Sequence, residues 1–409
     1  MRPLLILALL VGAALGTADP AAAQAGPNDT CLMCHSDTNA KGTGGKVIGL
    51  DKAVFKGSAH GALGVKCTDC HSDTSAEKLP HPPKLKPVVC ANCHEDAVKE
   101  YQTTAHAKAR AKGNEVAATC NNCHGATHAI QKSVVATSKT NRKNIEETCG
   151  GCHGSDKVVQ QAHLPGGNVQ ALYHDSVHDK VMQSKSGYAD QAPTCTTCHG
   201  THSILPKSDP KSRVSRASIP DTCGSCHQRE KIVFDKGAHG KLRQAGVTAG
   251  PGCTDCHGTH TIQASTQPKW QVAVIGQCGN CHSELITSYH LTYHGKVTDL
   301  GYANMATCAS CHGAHDVRPA SDPASPVHAD NRAQTCRKCH ANAGVKFASW
   351  DPHPQPQNKE RSAVLYYTAI SMNVLLAGVF AFFGLHTILW GYRSVKLKLE
   401  QRRQGGGHG

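Results

Sequence analysis

The sequence predicts a fold of loops and short α-helices with a thin polypeptide core, followed by one membrane-spanning helix near the C-terminus. Three observations predict it. All 22 cysteines fall in a single five-residue pattern. Aromatic residues make up only 4% of the 409 residues, against 39 glycines and 20 prolines, so little apolar area is available for burial. An apolar run occupies residues 364–391.

The pattern is Cys-x-x-Cys-His, and it occurs eleven times. Its members are Cys31, Cys34 and His35; Cys67, Cys70 and His71; Cys90, Cys93 and His94; Cys120, Cys123 and His124; Cys149, Cys152 and His153; Cys195, Cys198 and His199; Cys223, Cys226 and His227; Cys253, Cys256 and His257; Cys278, Cys281 and His282; Cys308, Cys311 and His312; and Cys336, Cys339 and His340. This spacing is that of c-type haem attachment, in which two thiols anchor the haem and the histidine binds its iron. A closed zinc site takes four ligands and has no role for a histidine directly after every second cysteine. Disulfides would not enforce one spacing through eleven copies. The reading is therefore eleven covalent haem c groups, with the porphyrins as the large apolar bodies that the chain itself lacks.

The formal charge is +13. A basic chain invites nucleic acid or an anionic surface as partner. A ferric haem with two neutral imidazoles carries one net negative charge, so eleven of them bring the oxidised protein to roughly +2. The lysines and arginines also lack the clustering of a nucleic-acid stripe, and no nucleic-acid partner is expected.

Both ends of the chain concern membranes. Residues 1–25 read as a secretory signal peptide, with Arg2 at the start, an apolar run over Leu4–Leu15 and a small-x-small site at Ala23-Gln24-Ala25. Residues 26–353 form the haem-bearing domain, and 354–363 a proline-containing linker that continues the stiff run from Pro352. Residues 364–392 are long enough to cross a bilayer, with Tyr366, Tyr367, Trp390 and Tyr392 at its edges. Arg393, Lys396, Lys398, Arg402 and Arg403 follow in the tail 393–409, which the positive-inside rule puts in the cytoplasm. The expected location is the inner membrane, single-pass, with the haem domain periplasmic.

A tandem di-haem repeat organises the domain. Each unit opens with an aromatic residue and a histidine five positions on: Phe55 and His60, Tyr101 and His106, Tyr173 and His178, Phe234 and His239, Tyr289 and His294. A first motif follows, then in four units a further histidine, His128, His202, His260 or His315, and then a second motif. In the first unit the further histidine is His81. The motif at Cys31 stands in front of the array.

The sixth iron ligand decides the chemistry: a histidine closes the iron for electron transfer, while an open position admits substrate. Of 28 histidines, the repeat supplies His60, His81, His106, His128, His178, His202, His239, His260, His294 and His315 as candidates. A degenerate sixth copy, Phe347 and His353, supplies an eleventh, read as the distal ligand of the haem on Cys336 and Cys339. His174 lies four residues before His178 and His290 four before His294, so either member of each pair fits. Histidines on opposite faces of one iron have α-carbons roughly 12–13 Å apart, whereas three residues span at most about 10–11 Å. His202 therefore cannot serve the haem of His199, nor His260 that of His257, nor His315 that of His312; each must reach a neighbour.

The stretches CTTCHGTHSI and CTDCHGTHTI resemble the multihaem cytochromes c of anaerobic respiring bacteria, in particular the doubled-motif group related to cytochrome c3 and the nitrite-reductase electron donors. The tail FFGLHTILWGYRS resembles that of membrane-anchored members which accompany a cytochrome b subunit. The resemblance implies electron transfer from a quinone-linked membrane partner, a cytochrome b or another quinone oxidoreductase subunit, to periplasmic cytochromes or terminal reductases. His386, inside the apolar run, is a packing residue, a quinone contact or a ligand to a haem b shared with that partner. The expected function is an electron carrier rather than an enzyme in its own right. The rival is a multihaem enzyme of the nitrite, hydroxylamine or tetrathionate type with one open iron. An electron store without a fixed partner accounts for the haems but not for the anchor.

Overall fold

A computed structural model of the chain describes residues 26–247 and 249–405. The signal peptide read at 1–25 and the last residues, His408 among them, lie outside the described residues. Among those described there is no β-strand, only one isolated antiparallel bridge between Lys41 and Val47. The elements are helices of three to twelve residues joined by turns, followed by one helix of 43 residues, Ala363–Gly405.

The thin core expected from composition is present. The buried apolar residues are Leu32, Ala192, Ile275, Tyr289, Ala343 and Ala348, and buried serines, threonines and one aspartate outnumber them. Small polar side chains are inside because they terminate and join short helices. Ser58, Thr104, Ser176 and Thr292 each cap a helix, accepting the N–H of Gly61, Ala107, Asp179 and Gly295. Each stands two residues before a histidine singled out above, and removal of such a cap costs about 1 kcal/mol. Gly237 holds this position before His239. A Cβ there would lie 2.9 Å from the His315 carbonyl oxygen, so no capping side chain fits.

The chain divides into two compact units. One comprises the residues up to Gln170 with Thr194–Thr196 and Gly200–Ile204; the other comprises Ala171–Pro193, Thr197–His199 and Leu205–Gly409. The same long-range tie recurs within each. In the first unit Ala59 N–H donates to Ile130 O (2.6 Å) and Ala105 N–H to Ile204 O (3.0 Å). In the second, Val177 N–H donates to Ile262 O and Ala238 N–H to Val317 O, both at 2.7 Å. Each bond joins the residue before an aromatic-linked histidine to the residue two after a post-motif histidine.

The final helix is long and apolar enough to cross a membrane, with a mean hydropathy of 1.9 in its most apolar stretch and none of that stretch buried against the rest of the chain. At 1.5 Å per residue its 43 residues extend about 64 Å, roughly twice the hydrocarbon thickness. The helix therefore continues through the basic segment that follows Tyr392 instead of ending at the expected boundary. At its other end Arg361 forms a two-bond ion pair with Asp351 (2.9 and 3.0 Å), and Lys359 lies over the Tyr367 ring at 5.5 Å.

Candidate haem sites

Four motifs fold as a turn of helix from first cysteine to histidine, Cys120–His124, Cys195–His199, Cys253–His257 and Cys308–His312, while those at Cys223, Cys278 and Cys336 begin at the C-terminal end of a longer helix. One turn puts both thiols and the histidine on a common side. Gly125, Gly200, Gly258 and Gly313 follow these histidines with φ of 91°, 85°, 75° and 79°, a conformation that only glycine adopts freely.

Every motif histidine faces one other imidazole. In the first unit the ring-centre distances are 5.9 Å for His35 and His81, 6.2 Å for His71 and His128, 6.0 Å for His94 and His60, 6.0 Å for His124 and His202, and 6.1 Å for His153 and His106. In the second they are 6.1 Å for His199 and His260, 6.2 Å for His227 and His178, 6.1 Å for His257 and His315, 6.4 Å for His282 and His239, 6.2 Å for His312 and His353, and 6.1 Å for His340 and His294.

These distances test the fit of an iron. Two imidazoles bound on opposite sides of one metal, with nitrogens at about 2.0 Å, have ring centres about 6.2 Å apart. Ordinary ring contacts also reach such distances, but they favour particular tilts. Here the separation stays within 5.9–6.4 Å while the interplanar angle runs from 13° to 67°. A fixed distance with free rotation is what a shared axis through a metal requires. The residues present fit haem.

The pairing follows a rule. His60, His106, His178, His239 and His294 face the second motif of their own segment. His128, His202, His260, His315 and His353 each reach back to an earlier first motif, and His81 reaches back to the motif at Cys31. His202, His260 and His315 thus avoid the histidine three residues before them. His353 departs from expectation. It faces His312, not His340, whose partner is His294; Phe347 packs instead against the His340 ring at 5.0 Å. The reason is that His353 follows the backward-reaching rule, and Ser288 holds it there through a 2.9 Å bond to its Nδ1. His174 and His290, the alternatives beside His178 and His294, instead face carboxylates, Asp179 at 3.1 Å and Asp299 at 2.6 Å.

Burial lowers the pKa of His106, His124, His128, His153, His178, His239, His257, His294, His312 and His353, with the facing ring adding to the effect in most. Neutral imidazole is the form that binds a metal. The Nδ1 of His35 lies 2.9 Å from Ile48 O and that of His81 2.8 Å from Pro82 O, which leaves each Nε2 for an iron.

Sequence-adjacent motifs are also spatial neighbours within each unit. The thiols of Cys31 and Cys67 and of Cys149 and Cys195 lie close enough to shift each other's titration in the first unit, as do those of Cys223 and Cys253 and of Cys278 and Cys308 in the second. Electrostatic contact joins Cys70 to Cys90 and Cys93, His94 to His124, and Cys123 to Cys152. It likewise joins Cys198 to Cys223, Cys256 to Cys278 and Cys281, and Cys311 to Cys336 and Cys339.

Several supporting residues escape sequence reasoning. Tyr101, Tyr173 and Tyr289 donate their hydroxyls to the carbonyls of Ala118 (2.7 Å), Pro193 (2.8 Å) and Ala306 (3.0 Å), each two residues before a motif. Thr148, Thr222 and Thr335, each directly before a motif, donate to the carbonyl nine residues earlier, at 2.7 Å in all three. Trp270 stacks on His257 at 5.1 Å. The recurrence of threonine before Cys149, Cys223 and Cys336 was the available signal.

The set of sites defines a multihaem c-type cytochrome. Residues 113–267, well under half the chain, match the family described as outer membrane cytochrome MtrC/MtrF-like, domains II/IV. That match supports a multihaem electron-transfer cytochrome with covalent haem and a redox partner. No curated protein matches the chain.

Proposed function

We propose that the chain is a membrane-anchored undecahaem electron carrier, built as tandem di-haem units behind a lone first haem, that relays electrons between a quinone-linked partner and periplasmic acceptors. The observation that carries this reading is that every motif histidine faces a second imidazole at 5.9–6.4 Å. Bound haem supplies one-electron chemistry, and two imidazoles on one iron leave no position for substrate. The 22 cysteines and the 22 facing histidines are the attachment and axial residues. The neighbouring thiols favour passage of electrons in sequence order within each unit.

The apolar helix, the basic segment after it and the resemblance of its tail favour the inner membrane with the C-terminus cytoplasmic. The matched family is described as an outer-membrane one. His386 belongs to the partner's side of the proposal, as a haem b ligand or quinone contact.

Two measurements test the reading. Intact mass of the denatured, extracted protein should carry eleven haem increments, and nine or fewer would end it. Ferric EPR should lack a high-spin signal near the intensity of one haem, because each iron has two imidazoles. Stoichiometric carbon monoxide binding to the reduced protein would instead establish an open iron and favour the enzyme reading.

A further inference from the structure

We propose that the hydroxyls of Tyr101 and Tyr289 are spacing clamps, each fixing the separation of two neighbouring haem sites; the proposal rests on the haem-site reading above. Tyr289 stands five residues before His294, whose ring faces His340 of the Cys336 motif. Its hydroxyl donates to Ala306 O at 3.0 Å, two residues before Cys308, and lies 3.0 Å from Thr298 Oγ1 in the helix Tyr293–Asp299 that carries His294. One phenol, only 8% exposed, therefore touches both the helix that presents a ring to one site and the segment that leads into the next. The two sites are neighbours, since the thiols of Cys336 and Cys339 lie near enough to raise the pKa of Cys311.

Tyr101 shares the carbonyl bond of this arrangement, from a half-buried position. It stands five residues before His106, which faces His153, and donates to Ala118 O at 2.7 Å, two residues before Cys120. The sites it joins are neighbours through Cys123 and Cys152. Phe55 and Phe234 occupy the same position in other segments and have no hydroxyl to donate. A hydrogen bond is short and directional, and a buried one is stiffened by the low dielectric around it, whereas packing alone tolerates sliding. The tyrosine segments, that of Tyr173 included through its 2.8 Å bond to Pro193 O, therefore hold their two sites at a set distance, and the phenylalanine segments do not. Electron exchange falls steeply with separation, so the relay has clamped and unclamped steps. Both tyrosines are positioning residues that act through the backbone leading to a motif.

The test uses the holoprotein in detergent, as wild type, Tyr289→Phe and Tyr101→Phe. Mass spectrometry first counts the haems; a wild-type count of nine or fewer would undo the underlying haem reading and not the clamp. Ferric EPR and time-resolved reduction then follow. Each variant should keep its full haem complement and its melting transition close to wild type. The EPR signals of both haems of one pair should change, and exchange between them should slow severalfold. Unchanged signals, a change confined to one haem, or loss of a haem would each overturn the clamp, the last because it would assign the hydroxyl to haem attachment.

Discussion

Replacing residues 364–391 with a polyleucine helix that keeps the flanking charges should abolish quinol-dependent reduction of the haems in membranes, while dithionite still reduces them in full. A passive anchor needs only length and apolarity, and polyleucine supplies both. The native helix carries more. His386 is costly in hydrocarbon, and Asn373, Ala377 and Ala381 recur at four-residue spacing, as small residues do where a second helix packs closely. The N-terminal end of the helix is tied to the haem domain by the Asp351–Arg361 pair, and within that loop the backbone N–H of His353 donates to Asp351 Oδ1 at 2.9 Å. Since His353 faces His312, electrons from the membrane should first meet the haem on Cys308 and Cys311, not the one on Cys336 and Cys339. On the proposed topology His386 lies about eight residues, or roughly 12 Å, from the middle of the span toward the cytoplasm, so a haem b in the proposed partner would have to bridge the depth. If quinol reduces the polyleucine protein at the normal rate, the helix is an anchor and nothing more.

The second large effect is expected from His315→Met. The potential of the haem on Cys253 and Cys256 should rise by on the order of 100 mV, a fraction of the ~0.8 V that axial ligands command, because methionine favours the reduced state. The haem on Cys308 and Cys311 should keep its potential although His315 stands only three residues after His312. The ring of His315 faces His257 at 6.1 Å, and His312 faces His353. A redox titration of the variant, resolved with the signature of methionine ligation, decides which haem moved. A shift at the Cys308 haem, or no shift at any haem, would refute the backward reach.

Much of this arrangement was legible in the sequence, for stated physical reasons. Cys-x-x-Cys-His is a local pattern, so the attachment positions need no tertiary knowledge. The fixed span from aromatic residue to histidine marks a rigid helical joint, which is why His60, His106, His178, His239 and His294 stand out. The reach of three residues excludes self-service by His202, His260 and His315. Chain reach alone could not say which neighbour each ring serves, because that depends on how segments pack. The misreading of His353 came from this gap: its spacing from Phe347 imitates the aromatic-linked histidines, while Ser288, 65 residues earlier, determines where it points. The choice between His174 and His178 was likewise decided by a carboxylate, Asp179, which occupies the former. The buried serines and threonines were not legible at all, since a cap is recognisable only once the helix it terminates is known.

The backward reach of one ring per segment has a consequence for how the protein is finished. The row resembles knitting: each new segment supplies the loop that closes the stitch made before it, as His128 does for His71 and His315 for His257. No segment can close the site at its own first motif, and a chain halted midway would leave that site with one axial histidine. The final stitch is drawn by His353, in the loop that Asp351 and Arg361 pin beside the long helix. Completion of the row thus waits on the segment that leads into the long apolar helix. A protein released before that point would betray itself by a single high-spin iron at Cys308 and Cys311, a mark by which unfinished copies can be told from finished ones.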